Sequence, residues 1–481
     1  MSNKNGSDAR MLVAVASHGT RNDRYLLQLV REYHSMSFHV DIVVLSNVPK
    51  NVASKVEVFA VDLSGKNPWS LPFPHKRIFA DRLNEYDLFI YSEDDTLIRE
   101  KNLRAFLDVS AVLPEDELPG FLRYEESADG KMSYPDLHAH FHWDPASVRL
   151  RGPYVMAFLT NQHSACYVLT QEQLRRAIKS GGYLADPHQE RYDLLCTAAT
   201  DPYTQCGLKK LVCISHLDDF LVHHLSNKYV GRWGVGDPEL RRQVRALLKL
   251  GQNGQHPMSL FETETKLKGF EYSKDYYEPV KPGVLAAIPK GVRSVLSIGC
   301  GRGLTESRLA EMGLRVSAVP LDPVIPGGAE AGAVEIINGD LGNARQGLGD
   351  RKFDCLLLSN VLHLVPNPVE VLSSYASLLS ERGAAIAVTP NMARLAATWK
   401  SLRGDASYAA RGSYERTGVH RVSRRILRGW FCSAGMKIEK IVPLVPKSST
   451  RVRRIASLLL QSWMADEFVV VARKLSDSQA S

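Results

Sequence analysis

The 481-residue chain is 44% apolar and 23% charged, a globular composition, and it is too long for one ordinary core, so two domains are expected. Its net charge of +8 is uneven: residues 1–250 carry 30 Lys and Arg against 31 Asp and Glu, and residues 251–481 carry 30 against 21. No apolar run approaches the ~18 residues of a membrane span. The seven cysteines (166, 196, 206, 213, 300, 355 and 432) include no Cys-x-x-Cys pair, which excludes a disulfide framework or structural zinc and fits a reducing, cytoplasmic setting. The basic second half leaves peripheral contact with an anionic membrane surface open.

Met11–Ala16 reads as a buried strand, Arg24–His34 as a helix and Val40–Leu45 as a second strand, a β-α-β opening of Rossmann type. Pro72–His75 breaks the chain before a helix expected over Lys76–Asn84. The next strand, Leu88–Tyr91, ends in Glu93, Asp94 and Asp95. Ligands of open α/β sheets bind at that end. Crowded carboxylates suit a divalent cation, Mg²⁺ or Mn²⁺, that bridges to phosphates. The alternative is an acidic cap on a helix over Leu97–Leu107. His138, His140 and His142 fall on one face of a predicted strand by period two, read as an acceptor-facing or plain polar wall in preference to zinc. Glu190 and Asp193 open another helix, where either is a candidate base toward an acceptor hydroxyl or a helix N-terminal acid. His223 and His224 close this half.

The run Arg77-(x)8-Tyr86-Asp-Leu-Phe-Ile-Tyr-Ser-Glu-Asp-Asp95 resembles the metal motif of GT-A-fold glycosyltransferases, in a Glu-Asp-Asp variant. The resemblance covers roughly Met11–Tyr229. It implies a nucleotide-sugar domain in which Glu93 and Asp95 hold the metal, Asp94 and Arg77 meet the donor, and His223 or His224 adds a late ligand.

Gly251–Pro257 is polar and glycine-rich, so domains are expected at 1–250 and 271–481 with a linker at 251–270. Val295, Leu296 and Ile298 then form a short buried strand that runs into Gly299, Gly301 and Gly303, with a helix over Leu304–Met312. A strand, a glycine turn and a helix N-terminus together make a nucleotide-type site, and Gly301 is expected to lack a side chain so that a ligand can approach the backbone. The Gly-x-Gly-x-Gly spacing disfavours a dinucleotide pyrophosphate. Asp322 ends a second strand at the distance that suits ribose hydroxyls, and Pro320 marks an edge or bulge there. Asp340 follows a third strand and Asn360 a fourth; a helix over Val369–Leu379 and a strand over Ala384–Val388 complete the pattern.

This succession resembles class I S-adenosylmethionine-dependent methyltransferases, with Ser297 where an acid is more usual. The resemblance implies cofactor contacts from Gly299, Gly301, Gly303, Asp322, Asp340 and Asn360. The Asn/Asp-Pro-Pro-aromatic motif of nucleic-acid amino methylation is absent at Asn360–His363. His363 and His420 are candidate bases for a hydroxyl acceptor. Arg451–Trp463 reads as a basic amphipathic helix or a solvated one. The expected whole is an α/β chain of two Rossmann-like domains, GT-A-like and then doubly wound. Its expected function is bifunctional: sugar transfer from a nucleotide-sugar donor to a glycan or glycolipid acceptor, and methylation of a hydroxyl, in polysaccharide or glycolipid assembly and without nucleic acid. The alternative is a methyltransferase with a non-catalytic N-terminal domain that recognises nucleic acid or glycan.

Overall fold

The computed structural model describes residues 9–53, 55–327, 333–393, 399, 413–444 and 464–475, and the basic stretch 451–463 lies outside them. The chain divides into two compact units, Met1–His256 and Pro257–Ser481. No helix among the described residues is long and apolar enough to cross a membrane.

In the first unit, β1 (Arg10–Ser17), α1 (Asp23–Ser35), β2 (His39–Ser46), β3 (Val56–Ala60), α2 (Pro74–Asp81) and β4 (Leu88–Glu93) follow one another in sequence. β1 to β4 are parallel, and Cys166–Thr170 joins antiparallel beside β4. Alternate residues of β1 feed two cores: Met11, Val13 and Val15 meet Leu26, Leu29 and Val30 of α1, and Leu12, Ala14 and Ala16 pack in the cluster of Phe79 and Tyr203. A strand covered on both faces reads as a continuous apolar run, as it does in the sequence. The chain moves outward from β1 to β2 and β3 on one side and to β4 on the other. The crevice beyond the carboxyl ends of β1 and β4 is therefore the switch point where such sheets take ligands.

Two expectations fail in this unit. The helix after the acidic triplet begins at Glu100, with Arg99 as its N-cap, and Thr96–Leu97 is a short strand, β5. Glu93, Asp94 and Asp95 therefore do not cap a helix. Residues 138–142 are a turn and not a strand, with Ala139 at φ +51°, so period two does not align His138, His140 and His142 there. Ion pairing of Arg123 with the fully buried Asp136 fixes the chain just before that turn.

The second unit is a seven-stranded sheet. Its strands are β6 (Ser294–Cys300), β7 (Arg315–Pro320), β8 (Val334–Ile336), β9 (Phe353–Ser359), β10 (Leu379–Pro390), β11 (Met436–Leu444) and β12 (Glu467–Lys474). Their order is β8-β7-β6-β9-β10-β12-β11; β12 runs antiparallel to β10, and β11 antiparallel to β12. β6 and β9 are the neighbours at which the strand order reverses, so the ligand crevice lies between their carboxyl ends. Leu296, Ile298, Leu356 and Leu358 face one core, and Val295, Cys355 and Leu357 face the other. Pro320 ends β7 beside a register shift against β6, the irregularity its sequence position implied.

Residues 257–270, expected within a linker, instead contribute buried Leu260, Thr263, Thr265 and Leu267 to the second unit. This segment crosses the carboxyl end of the sheet. Leu260 N–H donates to the Leu321 carbonyl (2.7 Å), and the Tyr276 carbonyl accepts from Arg302 N–H (3.0 Å). A Cβ built on Gly301 would overlap that Tyr276 carbonyl. Gly301 is therefore a glycine because backbone packs against it, which corrects the expectation that a ligand needs the space. Gly301→Ala should destabilise the second unit by roughly 1–3 kcal/mol through overpacking. Thermal denaturation without added ligand checks this; a variant as stable as wild type contradicts it.

Candidate functional site

In the second unit the glycine turn joins β6 to the helix Leu304–Glu311. Gly299 and Gly303 stand at φ +76° and +77°, left-handed conformations that favour glycine. Around Gly303 a Cβ would meet nothing, so the turn is open on that side. Ser297 is buried, and its hydroxyl donates to Glu306 Oε1 at 2.7 Å. A carboxyl thus reaches Ser297 from the first turn of the helix. Burial raises the pKa of Glu306, whereas the Ser297 hydrogen bond lowers it; the net direction is up.

Asp322 and Asp340, 18 positions apart in sequence, line one cavity of about 230 Å³ with Pro320, Asn338 and Asn343. Asp322 Oδ1 accepts from Val324 N–H (2.7 Å) and Ile325 N–H (2.8 Å), which closes the turn after β7. Asp340 caps the helix Leu341–Gly347, accepting from the N–H groups of Gly342 (2.9 Å) and Asn343 (2.8 Å). Both carboxylates are thus held in place at the rim of a space beyond the ends of β7 and β8. Asn360 follows β9 with φ +55°, a strained value for a residue with a side chain. Its Nδ2 donates to Glu467 Oε1 (2.7 Å), and its shielded Oδ1 meets no donor among the described residues.

The two histidines expected as bases differ. His363 is buried, and its Nε2 lies 2.9 Å from the Tyr272 carbonyl. A carbonyl only accepts, so Nε2 carries the hydrogen and Nδ1 presents a lone pair. Burial drives its pKa down to about 3, so it stays neutral. The His420 ring donates from Nε2 to the carbonyls of Val365 (3.0 Å) and Pro366 (3.1 Å) and stacks on Tyr414, which makes it a brace for the loop.

In the first unit, Asp94 is buried and accepts from Ser17 Oγ at the end of β1 and from Asn22 Nδ2, both at 2.7 Å. Asp95 lies beside His224 because Leu221–His224 pairs antiparallel with β5, which sets His224 opposite Thr96. The His224 ring is fully buried between two carboxylates, Nε2 3.3 Å from Asp95 and Nδ1 2.6 Å from Glu125. Burial lowers the pKa of His224, but the hydrogen bonds to Asp95 and Glu125 outweigh it and raise the net value. His223 points elsewhere, stacked on Tyr124 with ring centroids 4.5 Å apart. The structure therefore separates the two histidines that sequence left equivalent: only His224 adjoins the acidic triplet.

Glu93 has one shielded oxygen, Oε1, without a hydrogen-bond partner among the described residues, and burial with the nearby Asp95 charge pushes its pKa up to about 7. Among the described residues no three His, Cys, Asp or Glu side chains converge as a metal site. As arranged, the expected ligands Glu93, Asp95, His223 and His224 do not present a three-donor set.

Arg77 is exposed, pairs with Asp81 one turn on, and lines a cavity of about 400 Å³ with Asp62, Phe73 and Lys76. The buried cation of this helix is instead Lys76, which is bonded to the buried Asp201. Asp193 caps the helix Leu194–Thr204 by accepting from Cys196 N–H (2.9 Å), and the exposed Glu190 accepts from Gln205 (3.1 Å). Neither is placed as a base in an enclosed site.

Sequence reading missed Lys274, Glu278, Lys281 and Glu467, which tie the segment before the glycine turn to the ends of β9 and β12. The Lys-x-x-x-Glu-x-x-Lys spacing of the first three lies in a non-helical segment, so helical pairing rules gave no signal for it. Glu467 carries no signal either.

Residues 272–441 match the family model for a methyltransferase domain. The ubiquinone biosynthesis O-methyltransferase of Xanthomonas axonopodis pv. citri (strain 306) is 27% identical over 189 residues, covering 37% of this chain and 76% of that protein. Among solved structures, a mitomycin 7-O-methyltransferase shows 18% identity over 40% of this chain and 52% of its own, with a TM-score of 0.29. An S-adenosylmethionine-dependent methyltransferase from Archaeoglobus fulgidus shows 20% identity over 38% of this chain and 87% of its own, also with a TM-score of 0.29. The second unit carries a methyltransferase domain.

Glu93 offers a test within the first unit. The folded chain lifts this carboxyl from 4.5 to about 7 and so favours its protonated form. The stability it lends is full below pH 4.5 and is lost as pH rises through 7. Glu93→Gln, neutral throughout, should match wild type near pH 4 and melt higher than wild type at pH 8. Paired melts at the two pH values measure this; a variant that melts lower at pH 8 contradicts it.

Proposed function

We propose that the second unit transfers the methyl group of S-adenosylmethionine to a hydroxyl of its acceptor. The observation that carries this reading is the convergence of Asp322 and Asp340 on one cavity beyond β7 and β8, whose neighbour Leu321 donates its N–H to the Cys300 carbonyl at the start of the glycine turn (3.0 Å). The residues present fit the cofactor: two fixed carboxylates suit ribose and base donors, and the Asn360 oxygen lacks a partner. When bound, S-adenosylmethionine supplies an electrophilic methyl group on a cationic sulfur. The chain supplies position and exclusion of water, with Leu260–Tyr277 covering the carboxyl end of the sheet. His363, neutral and with Nδ1 able to accept, orients an acceptor O–H. As the O–CH₃ bond forms and the S–CH₃ bond breaks, the hydroxyl proton passes to water, because the imidazole is too weak a base to retain it. A phenol or sugar hydroxyl and a small amide remain distinguishable acceptors, and the missing Pro-Pro-aromatic motif favours the hydroxyl.

Asp322→Asn keeps an oxygen for the Val324 and Ile325 turn but removes the charge. S-adenosylmethionine affinity should fall by roughly 1–3 kcal/mol, the scale of hydrogen bonds to a charged partner, with the melting point unchanged. Calorimetric titration measures this; unchanged affinity removes Asp322 from the site.

A second reading concerns the first unit, and the Asp95–His224 contact at the β1/β4 switch point favours it. In this reading the unit binds a nucleotide-sugar donor and transfers the sugar to a glycan or glycolipid, so the chain is bifunctional in polysaccharide or glycolipid assembly. Asp94 and Arg77 are the donor contacts in this reading, and Arg77 borders the cavity of about 400 Å³. Glu93 and Asp95 are the residues that would hold a divalent cation, Mn²⁺ or Mg²⁺; His224 is already engaged at both ring nitrogens and offers no free donor. Mn²⁺-dependent binding of a nucleoside diphosphate to the intact chain should weaken at least tenfold in Asp95→Asn, whereas binding without Mn²⁺ should not fall. Equal or absent binding in both proteins leaves the first unit a non-catalytic recognition domain.

A further inference from the structure

Four charged side chains link the segment before the glycine turn to the last strand of the sheet. Lys274 Nζ donates to Glu278 Oε1 (2.6 Å) and to the Ser359 carbonyl (2.6 Å). Lys281 Nζ lies 3.1 Å from Glu278 and 3.2 Å from Glu467. Glu467 Oε1 in turn accepts from Asn360 Nδ2 at 2.7 Å. A carboxylate accepts and cannot donate, so the amide must turn its NH₂ toward Glu467 and its oxygen away. That oxygen is shielded and has no donor among the described residues. The Asn360 backbone is held in the left-handed region while its N–H donates to the Val388 carbonyl at 2.9 Å. Strain together with an unsatisfied buried acceptor marks a group kept for a ligand.

Position identifies the donor. The Asp322–Asp340 cavity lies beyond β7 and β8 and takes the nucleoside on the reading above, whereas Asn360 follows β9, on the other side of β6. A cofactor that lies across the glycine turn between them presents its amino-acid end to Asn360. We infer that Glu467 is a positioning residue of the cofactor site: held by Lys281, it pins the Asn360 amide so that Oδ1 accepts a hydrogen bond from the ammonium of bound S-adenosylmethionine. The inference rests on the methyltransferase reading of the second unit.

The experiment titrates the intact chain by calorimetry with S-adenosylmethionine and with 5′-methylthioadenosine, which lacks the amino-acid end. Glu467→Ala and Asn360→Ala should each weaken S-adenosylmethionine roughly tenfold or more, the scale of a hydrogen bond to a charged group, and leave methylthioadenosine unchanged. Glu467→Gln, whose amide oxygen still accepts from Asn360, should retain most of the affinity. In the double variant the losses should not add, because Glu467 acts through Asn360. Equal losses for both ligands, or additive losses, assign Glu467 a purely structural role and overturn the inference. Wild-type affinity in Glu467→Ala overturns it while leaving the cofactor reading intact. A wild-type chain that binds neither ligand overturns both.

Discussion

The second unit is organised around an ammonium that never meets water. Lys274 is fully buried, and a buried charge is tolerated only when paired and hydrogen-bonded. Its partners are the Glu278 carboxylate on its own segment and the Ser359 carbonyl at the end of β9. Burial alone would raise the Glu278 carboxyl, but Lys274 and Lys281 outweigh it and hold it below its ordinary range. The pairing fixes the segment over the sheet's carboxyl end, and the other features there follow from it. Tyr276 presses its carbonyl on Gly301, Tyr272 accepts from His363, and Leu260 joins the turn after β7. The cavity of Asp322 and Asp340, walled also by Pro257 and Met258, opens where that segment begins.

Much of this was legible in the sequence, for physical reasons. Val295, Leu296 and Ile298 are an apolar run because parallel strands are buried on both faces, and Gly299 and Gly303 are glycines because the turn needs left-handed backbone. Asp322 and Asp340 were singled out by their place at strand ends, and both line one cavity. The role of Gly301 was misread because the close neighbour is chain, Tyr276, 25 residues earlier, and spacing cannot distinguish chain from ligand. The linker was misplaced because 257–270 looks polar and irregular, although Leu260 and Leu267 are anchored in the core. Glu467 could not be found at all: its partner Asn360 is 107 residues away and joined only through sheet pairing.

The first unit shows the same limit. The apolar run Leu88–Tyr91 gave the strand, and the acidic triplet was placed at its carboxyl end. What each acid does was set by long-range pairing: Ser17 and Asn22 claim Asp94, His224 adjoins Asp95, and Glu93 is left with an unmatched oxygen. The helix-cap alternative fails on one local fact, the strand Thr96–Leu97 inserted before the helix. The turn at Ala139 likewise cancels a three-histidine alignment that was convincing on paper. Of the three acids at the switch point, burial pushes Glu93 up to about 7 and Asp94 upward, whereas for Asp95 the His224 contact outweighs burial and holds the carboxyl below its ordinary range.

Amide hydrogen exchange of the intact chain, with and without S-adenosylmethionine, tests the central claim most directly, because it reports the bound segments without knowledge of the acceptor. Slower exchange is expected over 257–261, 299–303, 320–325, 338–343 and 360–363, with residues 9–256 unchanged. Protection confined to residues 9–256, or no change anywhere at saturating cofactor, would contradict a cofactor site built on the glycine turn of the second unit.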